Sequence, residues 1–376
     1  KVTPEKLVTH RFDIARAEDA YALMARGEPH MAMTLEYPAP PDEAPQRSFD
    51  RVTPPAGETS ARGVGFIGVG NYAKAVLLPA VQNVPGVRLT RVVTAGGLSA
   101  DNAGEKFGFQ TVSTDPAALM QAEDTDTVFI ATRHDSHAAY ATQALQAGKH
   151  VFLEKPLAMD LDQLDSVIDT AAGAQTQLTV GFNRRFSPMV QRVRKAAATC
   201  TGPLVMMYRV NAGKIPSDSW IQRGEGGGRI VGEVCHFVDT LCTICASIPV
   251  EVQAVAAQGH ADAVSCVIRF ANGSTGTIVY SSLGDPAVPK EYLEVFGGGL
   301  VAQINDYTRL DLTRAGKTET VKGAQDKGQA ACVAAFFDAI KTGRPAIPMK
   351  ELVAVTETTF ALEQALATGG AVSLLP

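Results

Sequence analysis

Between Gly63 and Asn183 short apolar runs alternate without a break with stretches of helical periodicity. Strand-like runs lie at "GVGFIGVG", "VRLTRVVTA", "TVS", "TDTVFIAT", "HVFLEKP" and "QLTVGFN". Helices are expected at "YAKAVLLPAVQNV", "SADNAGEKFG" (capped by Ser99), "DPAALMQA", "HAAYATQALQAG" and "MDLDQLDSVIDTAAGA". Such alternation requires right-handed crossovers and a parallel sheet covered on both faces. The sheet should be doubly wound, with ligands bound beyond the carboxyl ends of its strands.

The rest of the 376 residues follows other rules. After Asn183 come a helix, "SPMVQRVRKAAA", a strand, "PLVMMYRVNAG", and a glycine-led helix at 226–245. Four strand candidates of antiparallel character follow, two of them joined by the hairpin signal Asn272-Gly273, and two helices close the chain. Residues 184–376 therefore read as an α+β domain with an open, mostly antiparallel sheet. Residues 37–62 hold six prolines and read as an extended linker. Residues 1–36 hold a helix spaced on Ala17, Ala20, Tyr21 and Met24, then a strand at "MAMTLEY". This arm is too short for a core of its own.

Composition narrows the function classes. Hydrophobic residues at 45% and charged residues at 19% describe a folded chain. A net charge of −5 gives no pull toward nucleic acid or anionic membrane. No run of 18 apolar residues suggests a membrane span. The six cysteines read as reduced core thiols in a cytoplasmic protein. The opening residues lack the apolar core of a signal peptide, and the chain is expected to be a segment of a longer protein.

Five features carry chemistry. Gly68-Val69-Gly70-Asn71-Tyr72-Ala73 is a G-x-G-x-x-A turn from strand to helix, the fingerprint of a Rossmann dinucleotide site at 63–183. The second strand ends at Thr94-Ala95 with no carboxylate for ribose hydroxyls. This leaves NAD and NADP both open, with a slight lean to NADP. Thr132, Arg133, His134 and His137 follow a strand whose carboxyl end faces the cofactor, although His137 reads more readily as a capping or surface histidine. Lys155 precedes Pro156, which bars helical geometry and admits a cis bond, fixing an amine over the crevice beside Glu154. Glu233, His236 and Asp239 share one helical face, suited to a histidine base oriented by a carboxylate. Cys235, His236, Cys242 and Cys245 offer zinc-type donors. They lie within an apolar helix without a second pair, so no metal is expected.

Taken in order, "GFIGVGNYA", "FIATRHDSHAAYATQALQAGKHVFLEKPLA", "VGFNRRFSP" and "GGGRIVGEVCHFVD" resemble the Gfo/Idh/MocA oxidoreductases over about residues 63–370. The resemblance implies hydride transfer between NAD(P) and a hydroxyl-bearing carbon of a sugar, sugar derivative or cyclitol. It also implies dimers through the second domain's sheet. Lys155 would bind the substrate hydroxyl and help move its proton, with His236 as the catalytic histidine. Glu154 and Pro156 would shape the nicotinamide site, and Asn183 and Arg184 would line nicotinamide and substrate. The family's Asp four residues before the histidine is here Gly232. Glu233 substitutes for it, or Lys155 and His236 work alone, or the protein is a non-catalytic NAD(P) or sugar sensor or a scaffold half. The arm at 1–36 resembles the C-terminal end of a zinc-type alcohol dehydrogenase, which implies covalent fusion to such a half.

Overall fold

Two short strands, β1 (Val8–Asp13) and β2 (Ala32–Glu36), run parallel in the N-terminal arm, connected through helix α1 (Ala17–Ala25). The computed structural model describes residues 4–37, 48–50, 62–214, 220 and 224–374, and its contacts separate residues 1–47 from 48–376. Helix α1 buries Ala20 and Leu23. The helix and β2 lie where the spacing predicts them. Strand β1 was not expected: its residues alternate between half-buried and exposed, too weak a pattern to stand out beside the helix.

The larger unit opens on a seven-stranded sheet. Its strands are β3 (Ser48–Asp50), β4 (Arg62–Ile67), β5 (Val87–Val93), β6 (Thr111–Ser113), β7 (Thr127–Ile130), β8 (His150–Leu153) and β9 (Leu178–Val180). Their order is β3-β6-β5-β4-β7-β8-β9, parallel except for β3 on the edge. Setting β3 aside, this is the doubly wound order, and its switch point falls at β4. The linker expectation needs correction here. Ser48–Asp50 pairs with β6, and most of 37–62 lies outside the described residues. Helices α2 (Leu78–Gln82), α3 (Gly97–Phe107), α4 (Pro116–Met120), α5 (His137–Gln146) and α6 (Leu161–Gly173) make the crossovers.

A second sheet carries β10 (Val205–Asn211), β11 (Pro249–Ala257), β12 (His260–Phe270), β13 (Thr275–Ser281), β14 (Glu291–Gly297), β15 (Leu300–Asn305), β16 (Arg309–Arg314), β17 (Lys317–Lys322) and β18 (Val372–Ser373). Their order is β17-β16-β15-β14-β10-β13-β12-β11-β18, antiparallel apart from β10 against β13. The Asn272-Gly273 hairpin forms between β12 and β13 as expected. One face packs on helices α7 (Pro188–Ala197), α8 (Cys235–Cys245) and α10 (Met349–Thr368). Phe237 of α8 lies 4.7 Å from the Tyr208 ring on β10. The opposite face presents Val205, Val267 and Phe296 to solvent.

Helix α9 (Gln329–Thr342) lies far beyond residue 183 yet packs on the first sheet. Its Phe336 packs edge-on against Phe129 of β7 and Phe152 of β8, both at 5.6 Å, so the chain returns to cover the first sheet. Phe129 in turn stacks between Phe66 and Phe152. Each such pair adds about 0.5–1.5 kcal/mol to the burial of its rings. The first sheet is thus completed by residues nearly 200 positions later.

Candidate active site

The crevice begins where β4 ends. Gly68 adopts φ +82° and its N–H donates to the Val93 carbonyl; a Cβ there would lie 2.6 Å from the Ala131 oxygen. Only glycine can make this turn. At Gly70 a Cβ would meet nothing within 4 Å, so the backbone faces open space. Helix follows at once through Asn71 and Tyr72, with a π turn at Ala73–Leu77 leading into α2. Its first turn presents unpaired N–H groups to that space. At the end of β5 the Thr94 hydroxyl donates to the Gly96 carbonyl, followed by Ala95 and no acidic side chain before α3. Thr132, after β7, accepts from the Ser136 hydroxyl. Arg133 is paired with Glu225.

Strand β8 delivers Glu154-Lys155-Pro156, with a cis bond between Lys155 and Pro156. His137 is fully buried, and burial pushes its imidazole down to about 4. Neutral at physiological pH, it has one proton, placed on Nδ1 by the Pro156 carbonyl at 2.8 Å. His137 therefore braces the turn and has no surface to offer a cofactor. Asn183 donates to the Lys327 carbonyl at 2.6 Å. Arg184 is also committed internally, in a fork of two 2.8 Å bonds to Glu291, which also receives the Tyr208 hydroxyl and Lys327.

Opposite stands the helix expected at 226–245. A π turn at Ile230–Val234 precedes α8, and such turns let a side chain reach the backbone. Lys155 Nζ donates to the Gly232 carbonyl at 2.6 Å. His236 follows one helical turn later, its ring edge-on to Phe182 at 6.1 Å. Burial, followed by Arg184 and Lys155, holds its imidazole well below the usual range, hence neutral. A neutral imidazole beside an ammonium can accept and relay a proton.

The expected carboxylate partners of His236 are not there. Glu233 receives Lys290 (2.7 Å), the Tyr280 hydroxyl (2.5 Å) and Arg229 (2.7 Å). Burial would raise its carboxyl, but Lys290 and Tyr280 outweigh that and hold it down at about 2. Asp239 is taken by Arg185, which also reaches Glu351. Helical spacing brings these groups to one side of the helix, but later strands supply stronger partners. Lys290, Tyr280 and Lys327 were missed because nothing local marks them. His134, four residues beyond the end of β7, carries no distinct role in the sequence pattern because its partner, the Gly226 carbonyl, lies 92 residues later.

Among the described residues, Glu154 Oε1 and His236 Nδ1 are buried without a hydrogen-bond partner. With the open backbone at Gly70, they leave a polar crevice that fits a dinucleotide. Burial pushes the Glu154 carboxyl up to about 7. The protonated form therefore favours the fold below the ordinary carboxyl range, and that stability is lost as pH rises through 7. Relative to Glu154→Gln, the wild type is expected to lose about 3 kcal/mol between pH 4.5 and 8 without cofactor, measured by urea unfolding at each pH. Equal pH profiles for the two proteins would contradict this.

Among the described residues no three His, Cys, Asp or Glu side chains gather as metal ligands, and no helix is long and apolar enough to cross a membrane. The cysteines are free thiols, with burial raising Cys235 and Cys245 to about 12.

Residues 62–182 match the model of an oxidoreductase family with an NAD-binding Rossmann fold, GFO_IDH_MocA. Inositol 2-dehydrogenase of Rhizobium meliloti is 30% identical over 225 residues, 57% of this chain and 67% of that protein. D-xylose 1-dehydrogenase (NADP(+)) 2 of Haloferax volcanii is 25% identical over 324 residues, 82% of this chain and 99% of that protein. An oxidoreductase domain protein from Kribbella flavida shares the fold with a TM-score of 0.75 at 20% identity, over 84% of this chain and all of that one. Levoglucosan dehydrogenase, solved with NADH and levoglucosan, gives 0.74 at 22% identity over 84% of this chain and 100% of that one. The chain belongs to the Gfo/Idh/MocA family of oxidoreductases.

Proposed function

We propose that the protein is an NAD(P)-dependent dehydrogenase or reductase acting on a CH–OH carbon of a sugar, sugar derivative or cyclitol. The observation that carries this reading is Lys155 bonded to the Gly232 carbonyl one turn before His236, whose Nδ1 is buried and unpartnered. Gly68, Gly70, Asn71, Tyr72 and Ala73 would hold the pyrophosphate, and Thr94 and Ala95 the adenosine ribose. Thr132, Glu154, Pro156 and Asn183 would flank the nicotinamide, with Arg133 at the rim. The bound nicotinamide supplies the hydride acceptor or donor. In oxidation, the C–H hydride leaves the carbinol carbon while His236 takes the hydroxyl proton and Lys155 holds the oxygen. Arg184, locked to Glu291, supports the substrate wall through position and charge.

The test is NADPH and NADH fluorescence titration, followed by a panel of sugars, inositols and sugar derivatives read at 340 nm. Binding with turnover of a polyol is expected, with NADPH held slightly more tightly because no acidic side chain repels a 2′-phosphate. Binding without turnover of any polyol would favour a sensor, a reading supported by the diversion of Glu233 to Lys290, Tyr280 and Arg229.

Three further proposals concern context. The uncovered face of the second sheet, with Val205, Val267 and Phe296, is taken to pack on a second copy of the chain. Light scattering should give a dimer for the wild type and a monomer for Val267→Lys/Phe296→Lys; identical masses would refute this. The arm at 1–36 is taken as the end of a preceding alcohol dehydrogenase-like half, because a two-stranded parallel pair with one helix is too small to hold a core of its own. Buried free thiols fit a reducing cytoplasm.

A further inference from the structure

His134 touches both ends of the glycine-led segment that receives Lys155. The imidazole is buried at 7% exposure, with Nδ1 2.8 Å from the Gly226 carbonyl. Burial and Lys155 push the ring down to about 3, so its single proton sits on Nδ1 and donates to that carbonyl. At the other end, the ring lies against the α-carbon of Gly232. A Cβ at 232 would come 2.9 Å from His134 Cε1 and 3.2 Å from Nδ1. The residue that accepts from Lys155 must therefore be glycine while His134 occupies this place. The Trp220 ring packs edge-on to the imidazole at 4.9 Å, and the neighbouring Arg133 pairs with Glu225 on the same segment. Two consecutive residues after β7 thus grip two consecutive residues of the loop leading into α8.

We propose that His134 is the positioning residue for Lys155, acting through the 226–232 backbone, and that His134 and Gly232 form a matched pair. The imidazole fixes the Gly226 carbonyl and limits how far Gly232 can move, which fixes the acceptor on which the Lys155 ammonium rests. The proposal rests on Lys155 acting in the reaction, as argued above. Its structural part stands apart from turnover.

The experiment therefore reads Lys155 directly. The protein is reductively methylated with ¹³C, and the Lys155 resonance is assigned by its loss in Lys155→Arg. His134→Ala is expected to displace this signal. His134→Asn, whose amide occupies the place of Nδ1 and can donate to Gly226, is expected to return it. NADPH affinity should stay within about twofold of wild type in both variants, which reports that the fold is intact. Where a turned-over polyol is known, kcat should fall about 10–100-fold in His134→Ala and recover to within about threefold in His134→Asn. An unmoved Lys155 signal in His134→Ala, or equal displacement in both variants, would overturn the proposal. A missing polyol activity with the expected signals would count against the assigned reaction and leave the positioning role standing.

Discussion

Lys155→Ala is expected to lower kcat by about 10²–10⁴-fold while the dissociation constant of NADPH changes by less than about threefold. Lys155 Nζ has the Gly232 carbonyl as its hydrogen-bond partner, leaving further N–H donors for a substrate oxygen. The dinucleotide crevice at Gly68–Ala73 does not depend on that amine, so binding and chemistry should separate. Lys155→Arg should also fail: a guanidinium keeps the charge, but its planar fork cannot take the place of a compact ammonium set between the Gly232 carbonyl and a substrate oxygen. Stopped-flow single turnovers and fluorescence titrations distinguish these effects. A variant that binds NADPH and retains wild-type kcat would remove Lys155 from the mechanism.

Glu291→Ala should cost about 3–5 kcal/mol of stability at pH 7. The carboxylate is almost wholly buried and receives Arg184, Lys327 and the Tyr208 hydroxyl; its loss strands two cations away from water. Burial alone would raise this carboxyl, but Arg184 and Lys327 outweigh it and hold the group well below the usual range. Its contribution is thus full above the ordinary carboxyl pKa and is lost as pH falls below it. The gap between wild type and variant should be widest near pH 7 and narrow toward pH 2. Urea unfolding across pH measures it, and a gap independent of pH would contradict the ionic account. Because Glu291 also holds Arg184 beside the site, the same variant should raise the polyol KM.

The fold was legible where each element bears a strong local signature. Strand–helix alternation and the turn at Gly68-Val69-Gly70 define the first sheet, and Asn272-Gly273 places a hairpin. Elements held by their partners were not legible. The three residues of β3 are a strand only because β6 offers an edge, and they sit among prolines. Helix α9 is apolar enough to pack on either sheet, and only Phe129 and Phe152, distant in sequence, decide that it covers the first. The site divided in the same way. Lys155 was visible from Pro156 and the strand end. The expected Glu233–His236 contact failed because partners 47 and 57 residues later, Tyr280 and Lys290, claim the carboxylate. A helical face states which side chains can meet, and the competing charges come from elsewhere in the fold.

The account is tested most directly by the crystal structure of the protein with a nicotinamide dinucleotide and a polyol bound. The carbinol oxygen should lie within about 3 Å of both Lys155 Nζ and a ring nitrogen of His236, with the nicotinamide against Glu154 and Pro156. A polyol seated elsewhere, with the amine and the imidazole turned to separate surfaces, would contradict it.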